Sequence, residues 1–291
     1  MSVQIEYAGT CFQGLVRKNN EDNFWCDNEY LSCENHGLDE VFSGRLQRTG
    51  CPAFAVFDGM GGEECGEVAA FLAADTFHHI FGNRPGNKSG EDSSEYSFGE
   101  DSSPKFENSS ENSFGKRSGK NMKENLNSIK SNDEDVRLLC QQMNDEICRY
   151  AAENRIRSMG CTAALLLFDD SDVYAANVGD SSIFCFQNHR LKKVSVDHVC
   201  SSPLYRKPPL TQFLGIPPEE MLLSPHIQRM EAAGGMQFLL CSDGLTDLFE
   251  EREIEAALDE AGTLSQAVQY LKEETLRRGA LDNTTIILCG L

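Results

Sequence analysis

Aspartates recur in this chain directly after apolar runs, where a rigid strand could hold a carboxylate at the edge of a crevice. Asp58 follows Phe54-Ala55-Val56-Phe57 and precedes Gly59-Met60-Gly61-Gly62. Asp180 follows Asn177-Val178-Gly179, Asp243 follows Phe238-Leu239-Leu240-Cys241-Ser242, and Asp282 stands just before an apolar run beginning at Thr284. Glu21 and Asp22 add two carboxylates in Asn20-Glu21-Asp22-Asn23. Hard divalent cations such as Mg²⁺ and Mn²⁺ take oxygen ligands, which carboxylates and backbone carbonyls supply. The glycines after Asp58 let the backbone come close to an ion. Asp-Gly after a strand is also ordinary turn chemistry, so one such site says little. Their recurrence points to a carboxylate metal cluster.

The elements that would position these residues can be read from periodicity. Residues 52–58 form a buried strand pattern, and 63–81 carry apolar residues at helical spacing with acidic residues in the first turn. A second helix is expected over about 133–158, then strands over 161–168, 172–178, 181–187, 191–196 and 236–242. Helices follow at about 251–260 and 264–278, and a last strand at 284–289. This order argues for antiparallel sheets flanked by helices rather than a βαβ repeat. Residues 82–134 are rich in Ser, Asn, Gly, Glu and Lys and contain a short duplication, SSEYSFG at 93–99 and SSENSFG at 109–115. Such a stretch buries too little apolar surface to offset its ordering entropy, so a disordered insertion is expected within a single domain spanning 1–291.

Composition narrows the function classes. A formal net charge of -20 argues against nucleic-acid partners and anionic membranes, both of which select basic surfaces. An acidic protein acting on phosphate needs cations at its site, because bare carboxylates repel the substrate. The start MSVQIEYAGT has no basic stretch followed by an apolar one, and apolar runs such as Ala163–Phe168 are too short to span a bilayer. The 12 cysteines, several inside apolar runs (Cys185, Cys241, Cys289), are read as reduced in a cytoplasmic protein.

The series Arg17-Lys-Asn-Asn-Glu-Asp22, Asp58-Gly-Met-Gly-Gly62 with Gly66-Glu67, Gly160-Cys-Thr-Ala163, Asn177-Val-Gly-Asp-Ser181, Asp197-His198, Ser242-Asp-Gly-Leu245 and Asp282-Asn283 resembles the ordered motifs of the PPM (type 2C) protein phosphatases. The match runs from about residue 9 to 290 around the insertion, and Asp58-Gly-Met-Gly-Gly62 resembles the bacterial branch. The resemblance implies an α+β fold: a two-layer antiparallel β-sandwich flanked by helices, with the metals at one end. It implies that Asp58 bridges two catalytic ions, Mn²⁺ or Mg²⁺, with Gly59 lending its carbonyl to one of them. Asp243 and Asp282 would bind the other. Glu21 would bind the metal site directly or through water, with Asp22 as its supporting neighbour. Asp180 would join Asp243 in holding a third, weaker cation, and Arg17 would clamp the substrate phosphate. The implied reaction is hydrolysis of phosphoserine and phosphothreonine monoesters by a metal-bound hydroxide. The implied partners are phosphorylated proteins, in opposition to a serine/threonine kinase, met by a monomer.

The chain departs from the family pattern in places. Met60 stands where some members carry a histidine proposed as general acid, which leaves protonation of the leaving group to water. Ser182 replaces the usual arginine. The flap between Asp197-His198 and Phe213-Leu214-Gly215 is short and carries Pro203, Pro208 and Pro209.

Other chemistries fit less well. A thiol phosphatase needs Cys-x5-Arg with a glycine-rich phosphate loop opening a helix. The two such spacings, Cys11 to Arg17 and Cys200 to Arg206, enclose FQGLV, a strand pattern, and SSPLY, which lacks glycine. Gly59-x-Gly61 meets Glu64 where a dinucleotide fingerprint wants its third glycine. His78-His79 reads as a helix surface feature, and no zinc pattern exists. A different class remains: a phosphatase-like binding or regulatory module without catalysis, which would be expected to lack ligand aspartates.

Overall fold

Along the strands, successive side chains face alternately toward helices and toward a second sheet. The computed structural model describes residues 4–47, 51–60, 65–82, 132–169, 171–200 and 207–291. In chain order these form β1 (Gln4–Phe12), β2 (Asp22–Cys26), β3 (Phe42–Gln47), β4 (Ala53–Asp58), α1 (Gly66–Phe81) and α2 (Asp133–Asn154). Next come β5 (Ala163–Phe168), β6 (Asp172–Val178), β7 (Ser182–Gln187), β8 (Arg190–Lys193), β9 (His226–Glu231) and β10 (Gln237–Cys241). The chain closes with α3 (Asp243–Thr246), α4 (Glu251–Glu260), α5 (Leu264–Arg277) and β11 (Thr284–Gly290). One sheet has the order β3-β1-β11-β10-β7-β8 and the other β2-β4-β5-β6-β9, every pairing antiparallel.

Period-two alternation sorts the buried side chains into three layers. Phe54 and Val56 of β4, Leu166 and Phe168 of β5, and Phe238 and Leu240 of β10 fill the space between the sheets. The intervening Ala55, Phe57, Leu165 and Leu167 pack outward on α1 and α2 through Phe77, Phe81, Leu139 and Met143. Leu239, Ile286 and Leu288 pack on α4 and α5 through Ile254, Val268 and Leu271. The expected sandwich flanked by helices is what forms. Each fully buried large side chain contributes about 1.5–3 kcal/mol, so the layers hold the strand ends rigidly.

The elements match the sequence expectations except at particular boundaries. Helix α2 starts at the expected place, where the Asn132 side chain accepts a hydrogen bond from Asp135 N at 2.9 Å. It stops at Asn154 rather than 158, because Arg155 turns left-handed (φ 57) and donates back to Ala151 and Ala152. The 191–196 expectation shortens to Arg190–Lys193. Strands β1, β2 and β3 had been given no bounds, strand β9 and the one-turn helix α3 were not anticipated, and of FQGLV, read as a strand pattern, only Phe12 lies in a strand. The expected insertion falls almost wholly on residues 83–131, outside the described residues, as do Gly61, Gly62, Glu64 and Arg206. Among the described residues no helix is long and apolar enough to cross a membrane. Cys11, Cys26, Cys140, Cys161, Cys241 and Cys289 are buried thiols outside any disulfide.

Candidate active site

The antiparallel registers carry all the acidic candidates to one end of the sandwich. In one sheet Asp22, opening β2, pairs with Asp58, closing β4. Ala163, opening β5, pairs with Val178, closing β6, so the turn holding Asp180 leaves from that same end. In the other sheet Cys241, closing β10, pairs with Ile286 near the start of β11 and with Ser182 at the start of β7. Phe12 at the end of β1 pairs with Thr284, which puts the Arg17 and Asp282 loops side by side.

Local contacts lock these ends together. The Ser242 hydroxyl and the Thr285 hydroxyl each donate to Asp22 Oδ2 at 2.7 Å, which ties β10 and β11 to β2 across the two sheets. Asn283 donates from Nδ2 to Gln13 O and Asn19 O, each at 2.9 Å, and its Oδ1 accepts from Glu21 N at 3.0 Å. Gly59 N donates to Glu21 O at 3.0 Å. A Cβ on Gly59 would lie 2.4 Å from Gly66 O, so glycine is what admits the start of α1 against the end of β4. At Gly244 a Cβ would lie 2.0 Å from Asn283 O, so the Asp243 turn can nest on the Asp282 loop only without a side chain.

Two cations stand among the acids. Arg17 Nη2 is 2.7 Å from Asp282 Oδ2. Lys207 Nζ is 2.6 Å from Asp243 Oδ2, 3.7 Å from Asp282 Oδ2 and 3.9 Å from Asp247 Oδ2. Lys207 was not singled out from the sequence. Its signal is slight: it is the one lysine between Asp197 and Glu220, in a proline-rich run. Ser242, Thr285 and Asn283 were likewise given no role, since uncharged side chains acquire one only through their partners.

Burial first, and neighbouring acids second, raise the pKa of several of these carboxyls. Burial, then Asp22, Asp243, Asp180 and Asp282, push Asp58 well above the ordinary carboxylate range. Burial carries Asp22 up to about 7, against the Ser242 and Thr285 hydrogen bonds and with help from Asp243 and Asp282. Asp180 rises to about 6 through burial and Asp243, with Lys207 opposing. Glu21 rises through burial, with Arg17 opposing. The Asp282 hydrogen bond raises Arg17. Burial works against the Lys207 charge, but Asp243, Asp282 and Asp247 outweigh it and raise the pKa.

These features fit divalent cations. The donors are oxygens throughout, a hard-cation set. Asp22 Oδ1 is buried without a hydrogen-bond partner. An ammonium already lies between Asp243 and Asp282. Among the described residues no three His, Cys, Asp or Glu side chains converge closely enough, as they stand, to hold a metal ion.

Rival chemistries lose ground. Burial first, then Asp22, pushes the Cys11 thiol up to about 12, so it offers no thiolate at neutral pH. Of the histidine pair, His78 is turned inward and accepts from Trp25 Nε1 at 3.3 Å, which corrects its reading as a surface feature. His79 faces outward toward Asp75, Nε2 to Oδ2 3.5 Å.

The serine/threonine phosphatase stp of Listeria monocytogenes is 30% identical over 171 residues, covering 53% of this chain and 66% of that protein. The serine/threonine protein phosphatase PstP of Mycobacterium tuberculosis is 22% identical over 301 residues, 100% of this chain but 46% of that protein. The chain thus spans less than two thirds of the length of these curated relatives. Its fold is shared with the solved M. tuberculosis phosphatase PstP/Ppp (TM-score 0.67, 21% identity, 99% of both chains). It is shared too with Stp1 of Staphylococcus aureus (TM-score 0.68, 22% identity, 100% of this chain and 96% of that one). The catalytic domain of PstP has also been solved in complex with 2 manganese ions. The protein phosphatase 2C family pattern matches residues 39–281, a span that takes in Asp58, Asp180 and Asp243, and the chain belongs to that family.

Proposed function

We propose that the chain hydrolyses phosphoserine and phosphothreonine monoesters of proteins, opposing a serine/threonine kinase, and needs two divalent cations, Mn²⁺ or Mg²⁺, to do so. The observation that carries the proposal is that strand-end carboxylates from both sheets lie at one end of the sandwich beside Arg17 and Lys207. The names of the Listeria and mycobacterial relatives support the substrate class, and manganese in PstP supports the cofactor.

Asp58 and the Gly59 carbonyl would hold one cation, Asp58, Asp243 and Asp282 the other, with Glu21 close by. Asp180 faces the same charges and could share Asp243 with a third. Bound divalent cations would compensate these carboxylates, lower the pKa of a water and offset charge on the phosphoryl group. The remaining work falls to side chains of this protein. Arg17 presents a guanidinium fork beside the carboxylates, suited to two phosphate oxygens. Gln13 Nε2 steadies it by donating to Arg17 O at 2.7 Å. Asp22 holds β10 and β11 against β2, keeping the ligand loops in place. Water attacks phosphorus, the P–O ester bond breaks, and the serine or threonine oxygen takes its proton from solvent, because the Met60 thioether has none to give.

The test is turnover of phosphothreonine and phosphoserine peptides and of p-nitrophenyl phosphate with Mn²⁺, Mg²⁺ or EDTA. We expect turnover only with a divalent cation, and a loss of at least about 100-fold in Asp243→Asn. Equal turnover in excess EDTA would refute the metal-dependent reading. Silence with every cation would leave a phosphatase-like binding module.

A further inference from the structure

Among the described residues eight large hydrophobic side chains are exposed, and three of them, Leu15 (66%), Val16 (62%) and Leu281 (61%), lie within two residues of Arg17 or Asp282 in the chain. They sit on two loops that are stitched together. Leu15 N donates to Ala280 O at 2.9 Å, and Asn283 Nδ2 donates to Gln13 O at 2.9 Å. The loop tip is rigid as well, since Gly14 is left-handed (φ 81) and a Cβ there would lie 2.6 Å from both Ala280 O and Asp282 O. The apolar side chains are therefore presented by a fixed scaffold at the rim of the carboxylate site. Water against exposed aliphatic side chains is costly, so three of them held at a site edge offer a surface for an apolar partner group.

We propose that Leu15, Val16 and Leu281 form a selectivity patch that takes aliphatic side chains flanking the phosphorylated residue of a protein substrate. The proposal rests on the phosphatase reading above and names its substrate class. Position determines the occupant. A peptide residue spans about 3.3–3.6 Å, so with the phosphoryl group at Arg17 only the nearest neighbours of the phosphoresidue can reach side chains so close to Arg17 and Asp282. The three exposed aliphatic side chains determine the chemistry. Acidic flanks meet a chain of net charge -20 and the crowded carboxylates of the site, whereas Leu, Val or Ile would shed water against the patch.

The experiment compares kcat/KM, with Mn²⁺ present, for two phosphothreonine peptides that differ only beside the phosphothreonine, Leu and Val in one and Ser in the other. The native chain should favour the aliphatic peptide about tenfold, mostly through KM. The triple substitution Leu15→Ser, Val16→Ser, Leu281→Ser should bring that ratio close to one, and Leu281→Ser alone should lower it partway. Because the readout is a ratio within each variant, an altered overall rate does not disturb it. Turnover without preference in the native chain, or a preference kept by the triple variant, would overturn the patch and leave the phosphatase reading standing. A concentration-dependent dimer that the triple substitution dissolves, with peptide preference unchanged, would assign the patch to a second copy and overturn the proposal. Absence of turnover with either peptide would bring down both readings.

Discussion

Lys207 occupies the place among the carboxylates where a positive charge is most needed. Its ammonium contacts Asp243 and lies within ion-pair distance of Asp282 and Asp247. Both Asp243 and Asp282 are proposed ligands, so a divalent ion must displace this ammonium or share its partners. Lys207→Ala should therefore bind the Mn²⁺ held by Asp243 and Asp282 about two- to fivefold more tightly by isothermal titration, one half-exposed ion pair being lost from the competing state. An unchanged isotherm would show that the lysine does not compete. The acidic residues of the site could be picked out beforehand because each follows an apolar run. Lys207 could not, because its role depends on where a proline-rich segment lays one flexible side chain. Asn283 was visible as a neighbour of Asp282, but its three hydrogen bonds to the 13–21 loop are products of the fold.

At the scale of elements, the site is built from strand ends that two close backbone approaches hold in place. Gly244 is the tighter of these, nested on the Asn283 carbonyl. Gly244→Ala should force the Asp243 turn away from the Asp282 loop. A cost of about 1–3 kcal/mol is expected for such overpacking, read as a fall of several degrees in the melting temperature together with weaker Mn²⁺ binding. A variant that melts and binds as the native chain does would contradict the close packing. The strands β4, β5, β6 and β10 were legible because their apolar runs are unbroken and bounded by turn residues. Strand β9 was not, since its sequence HIQRME is half-exposed and polar and it pairs only at the edge, on β6. The early end of α2 was equally hidden. Arg155 adopts a left-handed conformation usually left to glycine or asparagine, and nothing local announces it.

On the scale of the whole molecule, charge and fold oppose each other in the metal-free protein. A carboxyl that titrates near 3.9 in the unfolded chain binds its proton more tightly in the fold at Asp22 (about 7) and Asp180 (about 6). Between these limits the native state holds more protons than the unfolded state, so stability falls as pH rises. The net charge of -20 acts in the same direction. In EDTA the melting temperature should therefore drop from pH 5 to pH 8, and Asp22→Asn should flatten that slope. Saturating Mn²⁺ should reverse it, because cations bind the deprotonated ligands. A flat or rising profile in EDTA would contradict the crowding of these acids. The Glu274 carboxylate, held down to about 2 by hydrogen bonds from Arg277 and Arg278, stays ionised over this range and does not interfere.

Residue type and spacing by themselves determined the kind of chemistry open to this chain: oxygen donors after apolar strands and a charge balance that calls for cations at a phosphate site. The order of strand and helix patterns argued for antiparallel sheets flanked by helices, while the two-layer sandwich was implied by the family resemblance. Which acids meet was decided only by the tertiary structure. Asp22 and Asp58 face each other through a register, Asp243 and Asp282 through a glycine contact, and Lys207 enters from a loop with no periodic signal. Each of these depends on contacts between segments far apart in the chain, and a linear pattern carries no distance across space.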